Sequence, residues 1–196
     1  MSRLLRATVL TILVASCGGG GNYSAPRNLD DACSILNQRP TFLKAMRKSE
    51  RRWGIPVHVQ MATIYQESKF IGNARTPFRY VLGVIPMGRQ SSAYGYSQAL
   101  DATWKEYKRG PGRNGAKRDD IDDATDFMGW YMSQSTERLG IAKTDARNQY
   151  LAYHDGRSGY ARGTYRSKPW LIRIAGEIGA RSNTYRDQLR ACGKSR

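Results

Sequence analysis

The chain has 196 residues, with 32 Lys plus Arg against 16 Asp plus Glu, a formal net charge of +16. That length suits one domain and is enough to bury a core. At 40% hydrophobic and 24% charged residues the composition is globular, which excludes collagen-like, coiled-coil and multi-span membrane architectures. Twelve of the aromatic residues are Tyr, whose apolar face and polar tip serve half-buried cores and ring-shaped polar ligands alike.

The first 17 residues read MSRLLRATVLTILVASC. Arg3 and Arg6 form a positive start, residues 7–14 are apolar but too short to span a bilayer, and Ala15 and Ser16 are small. This is an export-signal pattern, to be set aside from fold reasoning. Small residues directly before Cys17 resemble the lipobox of bacterial lipoproteins, which implies a lipidated Cys17 as the mature N-terminus and a membrane attachment through it. Gly18 follows in place of Asp, which by analogy with lipoprotein sorting favours the outer membrane, facing the periplasm. The expected organisation is a signal peptide at 1–16, a flexible tether at 17–28 and one domain at 29–196.

Loss of the leader removes two basic residues and no acids, leaving 30 against 16, or +14. Such a charge favours anionic partners, with cell-envelope polymers and lipid headgroups ahead of nucleic acid in an exported chain. With Cys17 lipidated, Cys33 and Cys192 remain as an even pair in an oxidising compartment, so a disulfide between them is expected. No Cys/His cluster has zinc spacing, and the histidines are His58 and His154; neither a metal nor an organic cofactor is indicated.

Strand signals are few and the chain reads as helices joined by long loops. Helices are expected at 28–37, at 41–53 with Gly54 as the stop, and from Pro56 to Ser68. Residues 69–95 form a long Gly-, Pro- and Ser-rich loop, of the kind that is functional when it is not disordered. A further helix is expected at 97–107 and a basic loop at 109–118. The longest helix, 119–139, has one apolar face through Ile121, Ala124, Met128, Tyr131, Ser135 and Leu139, with Asp119, Asp120, Asp122 and Asp123 capping its start. Gly140 ends it, and helices at 145–155 and 169–190 complete an all-α (mainly α) single domain. Trp53, Trp104, Trp130 and Trp170 are expected to anchor the core.

Three short stretches carry candidate chemistry: Tyr65-Gln66-Glu67-Ser68, Tyr94-Gly95-Tyr96-Ser97-Gln98 and Tyr153-His154-Asp155. Glu67 ends an otherwise apolar helix, where partial desolvation would raise its pKa toward that of a useful general acid. Gly95 would let the backbone approach a ligand, Ser97 and Gln98 offer hydrogen bonds, and the Tyr153 hydroxyl could orient the acid. Asp101 would share a helix face with Gln98, and Asp155 is the better candidate for a second carboxylate. The basic loop at 109–118 could meet acidic groups of a ligand or remain solvated.

In order and spacing these motifs resemble the lytic transglycosylases of the soluble-lytic-transglycosylase (SLT) domain, relatives of goose-type lysozyme. The family's Glu-Ser motif matches Glu67-Ser68, its Gly-Leu-Met-Gln-type motif matches Gly95-Tyr96-Ser97-Gln98, and its Tyr-Asn motif matches Tyr153-His154. Two positions depart from the pattern: Tyr96-Ser97 replaces Leu-Met, and His154 replaces Asn. The resemblance implies a lysozyme-like fold, peptidoglycan glycan strands as partner, and a monomer. It makes Glu67 catalytic and Ser68, Tyr94, Gly95, Tyr96, Ser97, Gln98, Tyr153 and His154 substrate-binding. It also implies cleavage between N-acetylmuramic acid and N-acetylglucosamine to leave a 1,6-anhydro end, with one carboxylate serving both proton transfers. A water-using muramidase through Asp155 and an inactive glycan-binding module remain as alternatives.

Overall fold

The computed structural model describes residues 23–195. The expected leader at 1–16, the lipidated Cys17 and tether residues 18–22 lie outside these. Within them are eight α-helices, a short 3-10 turn and one hairpin, in the order α1 (Ala32–Gln38), α2 (Pro40–Trp53), α3 (Val57–Ser68), β1 (Phe78–Val81), β2 (Ile85–Arg89), α4 (Asp101–Arg109), α5 (Ile121–Leu139), α6 (Ala146–Asp155), α7 (Arg157–Arg162) and α8 (Pro169–Ala191). The chain is mainly α, as expected.

The helix boundaries follow local chemistry. Asp31 caps α1 by accepting from the Cys33 and Ser34 amides. Gly54 and Gly140, both with positive φ, close α2 and α5. Asp120 caps α5 by accepting from the Asp123 amide at 3.1 Å, the role expected of the acidic cluster. Asp145 caps α6 in the same way.

Helix α5 is the centre of the molecule. It was expected to bury a single face, but all of residues 121–133 except Asp122 are buried. Helix α2 packs closely along it at Gly129, where a Cβ would stand 2.4 Å from Ser49 Oγ and 2.6 Å from Trp53 Cδ1. Ser49 donates to the Thr125 carbonyl at 2.7 Å. The buried Asp126 carboxylate accepts from Arg52, the Trp53 indole and the Tyr107 hydroxyl at 2.7, 2.9 and 2.7 Å. These three donors satisfy a carboxylate that would be costly to bury alone. An aromatic group of Trp104, Tyr107, Phe127, Trp130 and Tyr131 fills the space between α4 and α5. The main core lies on the other side, between α1, α2, α3, α5, α6 and α8.

Three expectations need correction. The long loop at 69–95 contains the antiparallel hairpin, which the run of turn-forming residues obscured. The expected tether at 17–28 does not extend that far as a tether. Pro26 is buried, the Tyr23 carbonyl accepts from the Gly72 amide, and the Arg27 amide donates to Gln38 at 3.0 Å. Trp170 is 47% exposed, so it is no core anchor, whereas Trp104 and Trp130 are buried.

Cys33 and Cys192 form the expected disulfide, across 159 residues of sequence. It ties α1 to the end of α8, beside hydrogen bonds from the Ala32 amide to Gln188 and from Gln188 to the Asp30 carbonyl. Replacing both cysteines by Ser is expected to cost roughly 2–5 kcal/mol through the larger entropy of the open unfolded chain. Urea unfolding should show a lower midpoint with unchanged far-ultraviolet circular dichroism.

Candidate active site

The site is built where α3 stops. Helix α3 has no glycine at its end. Instead Lys69 and Phe70 both take left-handed backbone, with φ of 51° and 61°. Such conformations are strained for side-chain-bearing residues. Phe70 offsets the cost by full burial, stacked on Phe42 at 5.9 Å. The turn leaves Glu67 at the helix end, half-buried, with Ser68 buried beneath the next segment.

That next segment is the loop at 94–98, a junction of several chain segments. The Ser68 hydroxyl donates to the Tyr96 carbonyl at 2.9 Å. The Gly95 amide donates to Ala74, and the Tyr96 amide to the Arg118 carbonyl. The Tyr153 hydroxyl donates to the Ser97 carbonyl at 2.7 Å. Gln98, at φ 48°, turns its amide back to the Ala74 and Gly95 carbonyls at 3.0 and 2.8 Å. Gly95 has φ 82°, and a Cβ there would lie 2.0 Å from the Arg118 carbonyl oxygen. The glycine is therefore required by this backbone crossing, rather than by the approach of a ligand.

Helix α6 faces Glu67 from the other side. Tyr150 and Tyr153 are three residues apart, so they share one face of the helix. Glu67 has the Tyr150 hydroxyl as a hydrogen-bond partner, while Tyr153 senses the Glu67 charge. The Tyr153 hydroxyl was expected to orient the acid, but it is committed to Ser97; Tyr150 takes that place. An i, i+3 tyrosine pair before the His154 position was the signal that could have found it.

Removal from water pushes the Glu67 carboxyl from an ordinary 4.5 up to about 7, against a smaller lowering by the Tyr150 hydrogen bond. The carboxyl therefore holds its proton near neutrality and can also release it. Burial, then the Glu67 charge, pushes the Tyr150 phenol up, which keeps it a hydrogen-bond donor.

The other carboxylates are spoken for. Asp155 is paired with Lys168 and Thr164, and these contacts, Lys168 first, hold it below the usual carboxylate range. Asp101 pairs with Arg118 at 2.8 Å. It opens α4, while Gln98 lies outside that helix, so the two do not share a face as expected. The helix expected at 97–107 begins only at Asp101 because the junction loop holds residues 94–98.

A cleft of about 270 Å³ opens beside this junction, lined among others by Gln98, Thr103, Phe127, Tyr131, Tyr153 and His154. It unites residues from two of the three motifs, and Tyr153 connects it to Glu67. A larger cleft of about 540 Å³ lies between α3 and α8, against Tyr65, Lys69, Glu177 and Arg181. It takes Tyr65 and Gln66 from the Glu67 motif but no residue of the other two, so the smaller cleft, which joins two motifs, is the better candidate. His154 is exposed and meets Trp170 edge-to-face at 5.2 Å. Partial desolvation, despite the nearby Asp155 charge, lowers its pKa. Tyr131 packs edge-to-face on Tyr153 at 5.2 Å.

Other expected substrate contacts turn inward. Tyr96 is buried against Phe42, Ser68 is bonded to the loop, and the Ser97 side chain is fully buried. Tyr94 donates to Asp119 at 3.0 Å and lies under Arg75. In the basic loop, Arg113 grips Asp123 through two hydrogen bonds and Arg118 pairs with Asp101, so two of its cations serve the fold.

Gly95→Ala combines a steric collision with an unfavourable φ and is expected to lose about 2–4 kcal/mol of stability, measurable by urea titration. Glu67 predicts an opposite effect. Its folded pKa lies above its unfolded value, so the stability of the neutral form is complete below pH 4.5 and is lost as pH rises through about 7. Glu67→Gln is therefore expected to melt higher than the parent above pH 7, by at most about 3 kcal/mol given the partial exposure. The advantage should shrink toward pH 4.5 in a melting series.

Comparison with protein families matches residues 5–192 to the model described as a transglycosylase SLT domain. No curated protein matches the chain. Among the described residues, no helix is long and apolar enough to cross a membrane.

Proposed function

The chain belongs to the transglycosylase SLT-domain family, and on that premise we propose that it is a peptidoglycan lytic transglycosylase with Glu67 as its single acid and base. The observation that carries the reading is geometric: Glu67 is half-buried at the end of α3, next to Ser68, which bonds the Tyr96 carbonyl, and faces α6, whose Tyr153 bonds the Ser97 carbonyl, and desolvation there pushes its carboxyl up to about 7. In the protonated state Glu67 gives its proton to the glycosidic oxygen between N-acetylmuramic acid and N-acetylglucosamine, and the bond to the anomeric carbon breaks. The resulting carboxylate removes the proton of the muramoyl C6 hydroxyl. That oxygen bonds to the anomeric carbon, closing a 1,6-anhydro ring without consuming water and returning the proton to Glu67.

A pKa near the working pH suits a group that must be acid and then base. Hydrolases of glycosides generally use two carboxylates. Asp155 is the nearest candidate for a second one, and its ion pair with Lys168 and bond to Thr164 favour a structural role. The cleft lined by Gln98, Tyr131, Tyr153 and His154 is where the sugars would lie. In this reading the leader is removed, Cys17 is lipidated, and the domain faces the periplasm from the outer membrane. The protein acts as a monomer without metal or organic cofactor.

Digestion of purified sacculi, with products read by mass spectrometry, tests the reading. The expected muropeptides are one water lighter than hydrolytic ones, and Glu67→Gln should reduce their release by at least about a hundredfold while sacculus binding persists. Asp155→Asn should leave the anhydro character of the products unchanged. Mainly reducing muramic ends that disappear with Asp155→Asn would establish a muramidase instead. Binding without any product would establish a glycan-binding module.

A further inference from the structure

The hairpin β1–β2 breaks the rules that the rest of the molecule keeps. Every residue at 77–90 is exposed, yet the segment carries Phe78, Tyr80, Val81, Leu82, Val84, Ile85 and Met87. Leu82 is 86% and Val84 74% exposed. A contiguous apolar surface of this kind marks an interaction site. Its turn is equally unusual. Leu82 and Gly83 have φ of 53° and 74°, and the Val84 amide donates to the Val81 carbonyl. Two central residues at positive φ make a turn that Asn, Asp or Gly normally opens. Here a leucine takes the strained position and points an aliphatic side chain into water. Among the described residues nothing in the packing requires it, because neither Leu82 nor Gly83 touches the core.

Polarity is graded along the hairpin. At its base Phe78 pairs with Arg89, whose guanidinium lies 4.3 Å over the Phe78 ring. Arg79 and Tyr80 come next. Beyond them the tip, Val81-Leu82-Gly83-Val84-Ile85, has no polar side chain. Residues 68–100 contain Lys69, Arg75, Arg79 and Arg89 and no Asp or Glu. This order of basic, aromatic and aliphatic residues matches the order of an anionic bilayer from headgroup to acyl chain.

Successive strand residues point to opposite faces, so Val81 and Ile85 cannot be covered together with their neighbours by one flat protein surface. A fluid lipid interface covers both faces at once. The tip is aliphatic, whereas sugar rings are met by aromatic faces and hydrogen-bonding groups. Unpaired backbone groups along the outer strand edges limit entry to the interfacial layer.

We propose that the β1–β2 hairpin is a membrane-docking wedge that inserts Leu82 and Val84 into the interface of a bilayer carrying anionic phospholipid, with Arg79 and Arg89 at the headgroups. The proposal goes beyond glycan cleavage and is independent of lipidation at Cys17, since it concerns contact by a second, distant segment.

The test uses the full chain with Leu82→Cys carrying a nitrobenzoxadiazole fluorophore, the unsubstituted chain labelled in parallel as background, and Glu177→Cys on α8 as the control position. With phosphatidylglycerol-containing vesicles, the label at position 82 should brighten several-fold, shift to the blue and be quenched by doxyl-labelled lipids. The response should vanish when Val84→Asp is added, with sacculus digestion unaffected. No response at position 82, or an equal one at position 177, would overturn the proposal. A response on concentrating the protein without lipid would assign the hairpin to a second copy of the chain, and one on adding sacculi without lipid would assign it to glycan; either overturns it. Equal brightening in purely zwitterionic vesicles would overturn the role of the anionic headgroup.

Discussion

The junction at 94–98 is the constraint on which the candidate site depends. Four pieces of chain distant in sequence meet there: the end of α3 through Ser68, the Ala74 carbonyl, the Arg118 carbonyl and α6 through Tyr153. Most of these bonds end on backbone carbonyls, so they fix where the chain runs. Gly95 permits the crossing because the space where a Cβ would stand is occupied by the Arg118 carbonyl. Once the loop is held, the relation of α3 to α6 follows, and with it the distance from Glu67 to its tyrosines. Two strained residues after Ser68 are tolerated because Phe70 is buried as a result.

The same packing sets the chemistry. Tyr150, Tyr153 and the end of α3 exclude water from Glu67, and that exclusion raises the carboxyl pKa more than the Tyr150 bond lowers it. Desolvation of this sort is a cost to folding at neutral pH, where the group would otherwise ionise. A structural carboxylate avoids the cost by pairing, as Asp126 does with Arg52, Trp53 and Tyr107. Among the described residues, no cation contributes to the shift of the Glu67 carboxyl. The contrast between a fully satisfied buried aspartate and an under-compensated glutamate, within one domain, is what supports the proposal that Glu67 is functional, since perturbed carboxyls cluster at functional sites.

Much of this was legible in the residues. Helical periodicity, Gly54 and Gly140 as stops and the aspartates before α5 located the long helices, because capping and burial are local or periodic properties. The two cysteines identified their own bridge. The motif order singled out Glu67 and the stretch around Gln98 and Tyr153. What was not legible depends on contacts between distant segments. The competition between Tyr150 and Tyr153 for Glu67 is decided by where the Ser97 carbonyl lies. The ion pair that favours a structural role for Asp155 requires Lys168, on the far side of α7. The Lys69–Phe70 turn has no sequence signal at all, since both residues adopt a backbone they disfavour and are held there by the packing of Phe70. The hairpin was hidden for the opposite reason: its apolar residues bury nothing within the chain, so they gave no alternating pattern of inside and outside.

Desolvation also explains why the departures from the family pattern need not disable the site. Tyr96 and Ser97 stand where Leu and Met are usual, and both point into the protein. Tyr96 takes the apolar role by packing edge-on against Phe42, while Ser97 supplies a backbone carbonyl to Tyr153. Their side-chain identities therefore act on the rigidity of the loop, which a buried aromatic ring can provide as well as an aliphatic pair. His154 is different, because it lines the cleft itself, with Tyr150 and Trp170 against its ring. Partial desolvation holds its proton affinity down, and a neutral imidazole offers one N–H donor and one acceptor, fewer than the two donors and the carbonyl oxygen of a side-chain amide. A neutral imidazole can therefore replace only part of the hydrogen bonding of Asn toward a polar ligand, one donor and one acceptor at a time.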